Sequence, residues 1–119
     1  MIDQWIAEVK ENSDPKELGM ILIHNGIVRA TSKNGKGVTG MHLSSNREKL
    51  NALIAEFEKR EGIIAIKAWI NEGILTVGDD IMSVLVAGKF RTDVFPTLEE
   101  LITRIKKEVV SKKELTGLP

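Results

Sequence analysis

The chain contains two short apolar runs rich in β-branched residues, IIAIKAWI at residues 63–70 and IMSVLVA at residues 81–87. Each run is too short for a buried helix and is bounded by turn-forming residues, so both are predicted to be β-strands. The second run matches the first across turns at Gly73 and at residues 77–80. These two strands are the starting point for predicting the fold.

A third strand is predicted upstream, over the apolar run LGMILIH at residues 18–24, and is expected to be buried on both faces. Gly26 interrupts the extended pattern, which resumes at residues 27–30, so a bulge or bend is expected at Asn25 and Gly26. The polar turn KNGKG at residues 33–37 follows. Residues 38–43 are then predicted to return as the second strand of a hairpin.

Three amphipathic helices complete the pattern. An apolar face at helical spacing predicts a short N-terminal helix that stops before the turn formers at residues 12–15. A second helix is predicted to begin with Asn46 as its cap and to end at Gly62. A third is predicted to begin at the capping box TLEE, residues 97–100, and to be stopped by the tail at residues 116–119.

The order of elements is therefore helix, strands, helix, strands, helix. Such an order predicts an α+β fold in which one sheet has helices packed against it. A length of 119 residues is typical of one compact domain, so residues 1–119 are expected to form a single domain.

Composition argues against several classes of function. Seventeen basic and seventeen acidic side chains cancel, so no overall field favours nucleic acid or anionic lipid as a partner. Without cysteine the chain holds neither a disulfide nor a thiolate nucleophile, and two histidines favour no metal site. The N-terminus lacks the pattern of a signal peptide, and no apolar run approaches the length of a membrane span, which predicts a cytoplasmic protein.

Cationic side chains are the best candidates for chemistry. Lys106 lies at the edge of the apolar stripe of the last helix, where a lysine can extend along a cleft wall and act as an acid, a base or an amine nucleophile. Arg29 and Arg91 each follow a glycine at a strand end, a position suited to binding a phosphate or carboxylate. The alternative is that these residues belong to ordinary solvated surfaces.

Four segments, in their order and spacing, resemble the large, catalytic subunit of molybdopterin synthase over nearly the whole chain. The segments are GMILIHNGIVR at 19–29, EGILTVGD at 72–79, FRTDVF at 90–95, and Ile105-Lys106 followed by KKE at 112–114.

The resemblance implies a hammerhead-like α+β fold and a homodimer of large subunits within a heterotetramer. It implies a small ubiquitin-like partner, whose C-terminal Gly-Gly thiocarboxylate enters a pocket on the large subunit. The implied activity is that of a sulfurtransferase of molybdenum cofactor biosynthesis, which transfers sulfur twice to cyclic pyranopterin monophosphate to form the dithiolene of molybdopterin. No cofactor or metal is implied.

The resemblance also implies site residues. Lys106 and Lys112 match the two catalytic lysines, while Arg29 and Arg91 match arginines that bind substrate. Residues 109–111 replace a proline and aromatic-tryptophan run of the family and are one residue shorter, so the second lysine is either Lys112 or Lys113. With Lys112 in the catalytic role, Lys113 is expected to bind substrate together with Arg29 and Arg91.

A second hypothesis is a non-catalytic relative that keeps the dimer and binds a Gly-Gly-ended partner or an anionic ligand. Phe90, which stands where the family usually has a histidine, motivates this alternative. So does the end of the sequence at residue 119, because the family usually has a longer tail there. A nucleic-acid-binding module is disfavoured because no stacking aromatic residues accompany the basic cluster.

Overall fold

A computed structural model describes residues 1–116, which form an α+β fold and confirm the predicted class. The elements in chain order are α1 (Ile2–Asn12), β1 (Met20–Ile27), β2 (Gly40–Ser45), α2 (Arg47–Glu58), β3 (Ile63–Ile70), β4 (Gly73–Thr76), β5 (Asp80–Gly88), α3 (Arg91–Arg104), a π-helical segment (Ile105–Val109) and β6 (Val110–Leu115).

The strands of the described residues form two antiparallel three-stranded sheets, so the prediction of a single sheet is wrong. The first sheet has the order β1-β5-β3, and the second has the order β4-β2-β6. The two apolar runs at residues 63–70 and 81–87 pair with each other as β3 and β5, as Lys67 opposite Leu85 illustrates. Burial follows this order, because the central strand β5 is buried from Met82 to Gly88.

The first strand differs from its prediction in burial but not in its bulge. β1 is an edge strand, and its residues Met20 to His24 are only partly buried rather than buried on both faces. The expected irregularity is confirmed, since the pairing of β1 with β5 shifts register between Gly26 and Ile27.

The hairpin predicted for residues 38–43 is also wrong. After β1 the chain makes an isolated bridge, Thr31 with Gly37, flanked by two backbone hydrogen bonds. The Ser32 amide donates to the Lys36 carbonyl at 2.9 Å, and the Val38 amide donates to the Ala30 carbonyl at 2.8 Å. β2 then pairs with β4 and β6 in the second sheet. These partners come from distant parts of the chain, so the local turn at residues 33–37 does not determine the pairing of β2.

The first two helices match their predictions closely. α1 ends at Asn12 and packs its apolar face, which includes Val9, on the outer face of the first sheet. The Asn46 side chain caps α2 by accepting a hydrogen bond from the Lys49 amide at 3.1 Å. The helix ends at Glu58, slightly earlier than expected, and Gly62 follows in the left-handed conformation with φ of 79°.

The last helix begins earlier and ends earlier than predicted. α3 starts at Arg91, and the Thr97 hydroxyl donates to the Asp93 carbonyl at 2.7 Å inside the helix instead of capping its first turn. A threonine inside a helix commonly donates a hydrogen bond to a carbonyl of the preceding turn in this way. In the sequence alone, such a threonine looks the same as one that caps a helix. After Arg104 the chain forms the π-helical segment and then strand β6 rather than continued helix. Of the predicted stop at 116–119, residues 117–119 lie outside the described residues.

The main hydrophobic core lies between the first sheet, helices α2 and α3, and the inner face of the second sheet. Phe57 of α2, Leu101 of α3 and Ile105 of the π-helical segment are at most 1% exposed within it. Burial of this extent anchors the π-helical segment firmly, at about 2 kcal/mol for each large apolar side chain. The anchored segment leads directly into β6, which pairs with β2.

Candidate active site

A cavity of about 540 Å³ lies where the end of β1, the start of β5, the π-helical segment, β2 and β6 meet. This volume is within the usual range for a site that binds a small molecule. Apolar side chains form much of its wall: Ile27, Met41, Leu43, Ile81, Met82 and Val110.

Charged side chains line the same cavity, and most of them are positive. The lining includes four cations and one carboxylate: Arg29, Lys33, Lys106, Lys112 and Glu114. Within residues 1–116 no salt bridge joins any of these four cations to a carboxylate. Cations that are not neutralised by the protein, next to an apolar wall, favour an anionic ligand with an apolar part.

Strand alternation selects which residues of β6 reach the cavity. Lys112 lies opposite Leu43 and Glu114 opposite Met41, so all four side chains share one face of the second sheet. Lys113 lies opposite His42, which is exposed on the other face. Because successive side chains of a strand point to opposite faces, Lys112 lines the cavity and Lys113 does not.

Arg29 is held at the cavity by the backbone around its neighbour. Val28 is 1% exposed, its amide donates to the Asp79 carbonyl at 2.9 Å, and its carbonyl accepts from the Gly78 amide at 2.9 Å. These two hydrogen bonds fix the chain just before Arg29, which is exposed. The backbone next to Arg29 is therefore held in place, and the Arg29 side chain can reach a ligand in the cavity.

Lys106 follows the fully buried Ile105 in the π-helical segment. A π-helix has wider turns than an α-helix and often occurs at functional sites. Lys106 lines the cavity while remaining exposed.

Arg91, which the resemblance identifies as a substrate-binding residue, does not line this cavity. It lies in the first turn of α3, just after the end of β5. In the β1–β5 pair Gly88 lies opposite Met20, whereas Asp80 lies opposite Ile27 at the cavity. Because each strand residue adds about 3.3 Å, the end of β5 at Gly88, just before Arg91, is about 20 Å along the strand from Met82 at the cavity.

His24, which the sequence analysis places only in the predicted strand at residues 18–24, also lines the cavity. Burial, and secondarily the positive charge of Lys106, lower the pKa of His24 below its ordinary value. His24 and Gly26 are two residues apart, so they share one face of the strand that leads to Arg29. This spacing is the sequence signal that could have indicated His24 as a cavity residue. Lys33 was missed as well, because it belongs to a turn whose direction the sequence does not give.

A second groove of about 600 Å³ lies between α2 and α3 and has a different character. Glu99 and Glu100 line it, and its arginine, Arg104, is already hydrogen-bonded to Glu108 and Glu56. Those hydrogen bonds raise the pKa of Arg104 and lower that of Glu108. This groove therefore offers an anion no uncommitted cation.

Two further observations bear on the kind of site. Across residues 1–116, histidine and carboxylate side chains nowhere gather in a group of three that could hold a metal ion. None of the helices in that part of the chain is long and apolar enough to cross a membrane.

The fold and the cavity together define a small α+β protein of two antiparallel sheets with a cation-lined pocket at their junction. Within this class, the chain belongs to the MoaE family, because the family model described as "MoaE protein" matches residues 2–108. This membership confirms the resemblance to the molybdopterin synthase large subunit.

Two relatives extend this finding. The chain is 34% identical over 95 residues to the protein MJ0717 of Methanocaldococcus jannaschii, covering 76% of this chain and 80% of that protein. It is 31% identical over 116 residues to a protein of Haloferax volcanii named "Probable molybdopterin synthase". That match covers 90% of this chain but only 44% of the Haloferax protein.

Solved structures share the fold. Molybdopterin synthase from Staphylococcus aureus superposes with a TM-score of 0.79 at 21% identity, covering all of this chain and 87% of that one. A chain from the complex of subunits 1 and 2 of molybdopterin-converting factor from Helicobacter pylori superposes with a TM-score of 0.69 at 18% identity, covering 98% and 83%. These likenesses confirm the α+β architecture that the resemblance implied.

Proposed function

We propose that this chain is the catalytic large subunit of a molybdopterin synthase. In this proposal it transfers sulfur from a thiocarboxylated small subunit to cyclic pyranopterin monophosphate and forms the molybdopterin dithiolene. Family membership, the Haloferax relative and the fold support a role in molybdopterin biosynthesis. The observation that carries the sulfur-transfer step is that Arg29, Lys106 and Lys112 line one cavity.

Both proposed ligands, the pterin phosphate and the carrier's terminal thiocarboxylate, are anions that also have an apolar or extended part. The cavity wall has cationic and apolar side chains, which suit these two parts. Arg29 can bind a phosphate with two parallel hydrogen bonds, a geometry that lysine lacks. The apolar side chains of Met41 and Leu43 provide a surface for the pterin ring. Lys106 and Lys112 then remain for the carrier's terminal thiocarboxylate.

The lysines have a defined task in releasing the carrier. Once its sulfur is bonded to the pterin, the carrier is held by a thioester. Water adds to the thioester carbonyl, the carbon–sulfur bond breaks, the carrier leaves as a carboxylate, and the sulfur stays on the pterin. An ammonium group next to that carbonyl stabilises the negative charge that develops on its oxygen. The sulfur comes from the carrier, because this chain has no cysteine.

A small ubiquitin-like subunit ending in Gly-Gly is part of the proposal, as is a homodimer within a heterotetramer. The Helicobacter complex of subunits 1 and 2 of molybdopterin-converting factor, one chain of which shares this fold, supports the proposal of a small-subunit partner. Arg91 binds substrate in this proposal only if a second copy of the chain brings it to the cavity. A cytoplasmic location stays a prediction.

The test is reconstitution with a thiocarboxylated small subunit and cyclic pyranopterin monophosphate, with molybdopterin as the measured product. Lys106→Ala should reduce the rate by about a hundredfold or more, as expected for loss of a charge that stabilises a transition state. Lys107→Ala is the matched control, because Lys107 is adjacent and exposed but does not line the cavity. Full activity of Lys106→Ala would refute the proposed role.

The alternative is a non-catalytic relative that binds a Gly-Gly-ended partner or an anionic ligand. The position of Arg91 outside the cavity and the exposed Phe90 at the start of α3 favour it. Tight binding of the small subunit without any molybdopterin in the same reconstitution would support this alternative over the enzyme.

A further inference from the structure

His24 occupies a position in the cavity that a neighbouring glycine keeps open. His24 and Gly26 alternate onto the same face of β1, and both line the cavity. A Cβ atom placed on Gly26 would lie 3.3 Å from Nε2 of His24, which is tighter than ordinary van der Waals contact. The absence of a side chain at Gly26 therefore leaves the imidazole free to face a ligand.

The charged side chains that line the cavity together with this imidazole are mostly positive, whichever element they come from. Arg29 follows β1, Lys33 lies on the turn before β2, Lys106 is in the π-helical segment, and β6 supplies Lys112 and the carboxylate of Glu114. The remaining walls, from β2 and β5, present the apolar side chains of Met41, Leu43, Ile81 and Met82. Four cations thus outweigh one carboxylate around His24.

We propose that His24 is an anion-binding residue of this cavity that takes up a proton when a dianion, such as a phosphate monoester, binds. The proposal rests on the proposed function in one respect, namely that the natural dianion is the phosphate of the pterin substrate. A bound dianion cancels much of the surrounding positive charge and places negative charge beside the ring. Both effects favour the imidazolium form.

The linkage determines how binding depends on pH. In the empty cavity burial, and then Lys106, hold the pKa of His24 below its ordinary value, so the ring is neutral at neutral pH. The dianion raises this pKa, and protonation must raise the affinity for the dianion by the same factor. The affinity for the dianion is therefore constant at pH values above the pKa that His24 has in the complex. It rises as the pH falls from there towards the pKa that His24 has in the empty site. The site thus prefers a dianion over a monoanion most strongly in mildly acidic solution.

Sulfate is a suitable probe, because it remains a dianion throughout the range in which histidine titrates, about pH 5 to 8. The histidine ring signals of the whole chain are followed by NMR against pH, with and without sulfate. His42 is the other histidine of the sequence and is exposed on the far face of the second sheet, so His42→Phe assigns the signals and serves as the matched control. Sulfate should raise the pKa of His24 and leave that of His42 in place.

Calorimetry of sulfate binding in buffers of different ionisation enthalpy measures the proton uptake itself. In the wild-type chain and in His42→Phe, each sulfate bound should be accompanied by the uptake of a fraction of one proton. If sulfate raises the pKa of His24 by one unit, the affinity for sulfate should be about tenfold higher when His24 is protonated than when it is neutral. His24→Phe and His24→Gln should abolish the uptake and flatten the pH dependence. Two variants are used so that a folding defect in one of them does not decide the outcome.

Absence of sulfate binding, an unchanged pKa of His24, or equal proton uptake in the His24 variants would overturn the proposal. None of these measurements involves the small subunit or sulfur transfer. Failure of the reconstitution with intact proton linkage would therefore refute the proposed function alone, whereas sulfur transfer without proton linkage would refute only the role of His24.

Discussion

Lys112 lies directly opposite Leu43 in the β2–β6 pairing, and this register places its side chain on the cavity side of the second sheet. The neighbouring Lys113, opposite His42, is directed to the other face. One residue of register therefore decides which of two adjacent lysines can touch a ligand.

Lys112→Ala should lower the rate of molybdopterin formation by about a hundredfold, because it removes one of the charges facing the carrier's carbonyl. Lys113→Ala should stay within about twofold of the wild type, as usual for an exposed charge outside a site. Single-turnover reconstitution measures both. A larger defect in Lys113→Ala than in Lys112→Ala would contradict the assigned register.

Arg29→Ala should weaken binding of the phosphate-bearing pterin by about tenfold to a hundredfold, since a charge-assisted hydrogen bond contributes about 1.5–3 kcal/mol. Arg29→Lys should recover only part of this loss, because lysine keeps the charge but not the two parallel donors. Equilibrium binding of the pterin precursor to the large subunit checks both variants. Equal affinity of Arg29→Lys and the wild type for the pterin precursor would show that only the positive charge at this position contributes to binding.

Arg91→Ala tests whether a second copy of the chain completes the site. If it does, mixing Arg91→Ala with Lys106→Ala chains should restore activity, because one cavity of each mixed dimer then carries both intact residues. The restored rate is measured after the two inactive proteins are unfolded and refolded together. A mixture as inactive as its components would mean that Arg91 and Lys106 do not serve one site across the dimer.

Gly62→Ala should destabilise the fold by about 2–4 kcal/mol, because a Cβ there meets the side chain of Asp93 as well as requiring a positive φ. Gly35→Ala is the matched control, since Gly35 has the same φ of 79° and nothing within 4 Å of an added Cβ. Its cost should be about 1 kcal/mol, from backbone strain alone. Urea denaturation measures both, and equal losses would show that Asp93 moves aside freely.

The stability of the chain should depend on His24 at mildly acidic pH. Burial first, and Lys106 second, lower its pKa in the folded state, whereas unfolding returns it to about 6.5. The unfolded chain then binds more protons, so this contribution is complete above about pH 6.5 and is lost as the pH falls through the folded pKa. His24→Phe should remove this part of the pH dependence of the free energy of unfolding, and His42→Phe should keep it.

The parts of the fold that local pattern determines could be predicted. β3 and β5 are short apolar runs between turn formers, and Asn46 is a good cap directly before an apolar stripe. β6 could not be predicted, because VSKKEL has few apolar residues and becomes a strand only by pairing with β2, about seventy residues earlier. The second sheet was missed for the same reason.

The candidate site was predicted in part. Arg29 and Lys106 were found because each stands next to a feature visible in sequence, a glycine-interrupted strand and an apolar stripe. Arg91 has an equally suggestive neighbour in Gly88, yet the antiparallel course of β5 puts it at the opposite end of the first sheet. His24 was not assigned to the cavity, because the direction of its side chain depends on the register of β1. Its place in the cavity also depends on where the C-terminal part of the chain puts Lys106.

The cavity joins residues from the first quarter of the chain to residues from its last tenth, since Arg29 and Lys112 line it together. During synthesis on the ribosome, the β1 wall emerges long before the β6 wall exists. The complete cavity therefore cannot form in a nascent chain until β6 has emerged from the exit tunnel and paired with β2. Contacts between such distant positions also slow folding, because the intervening loop must close first.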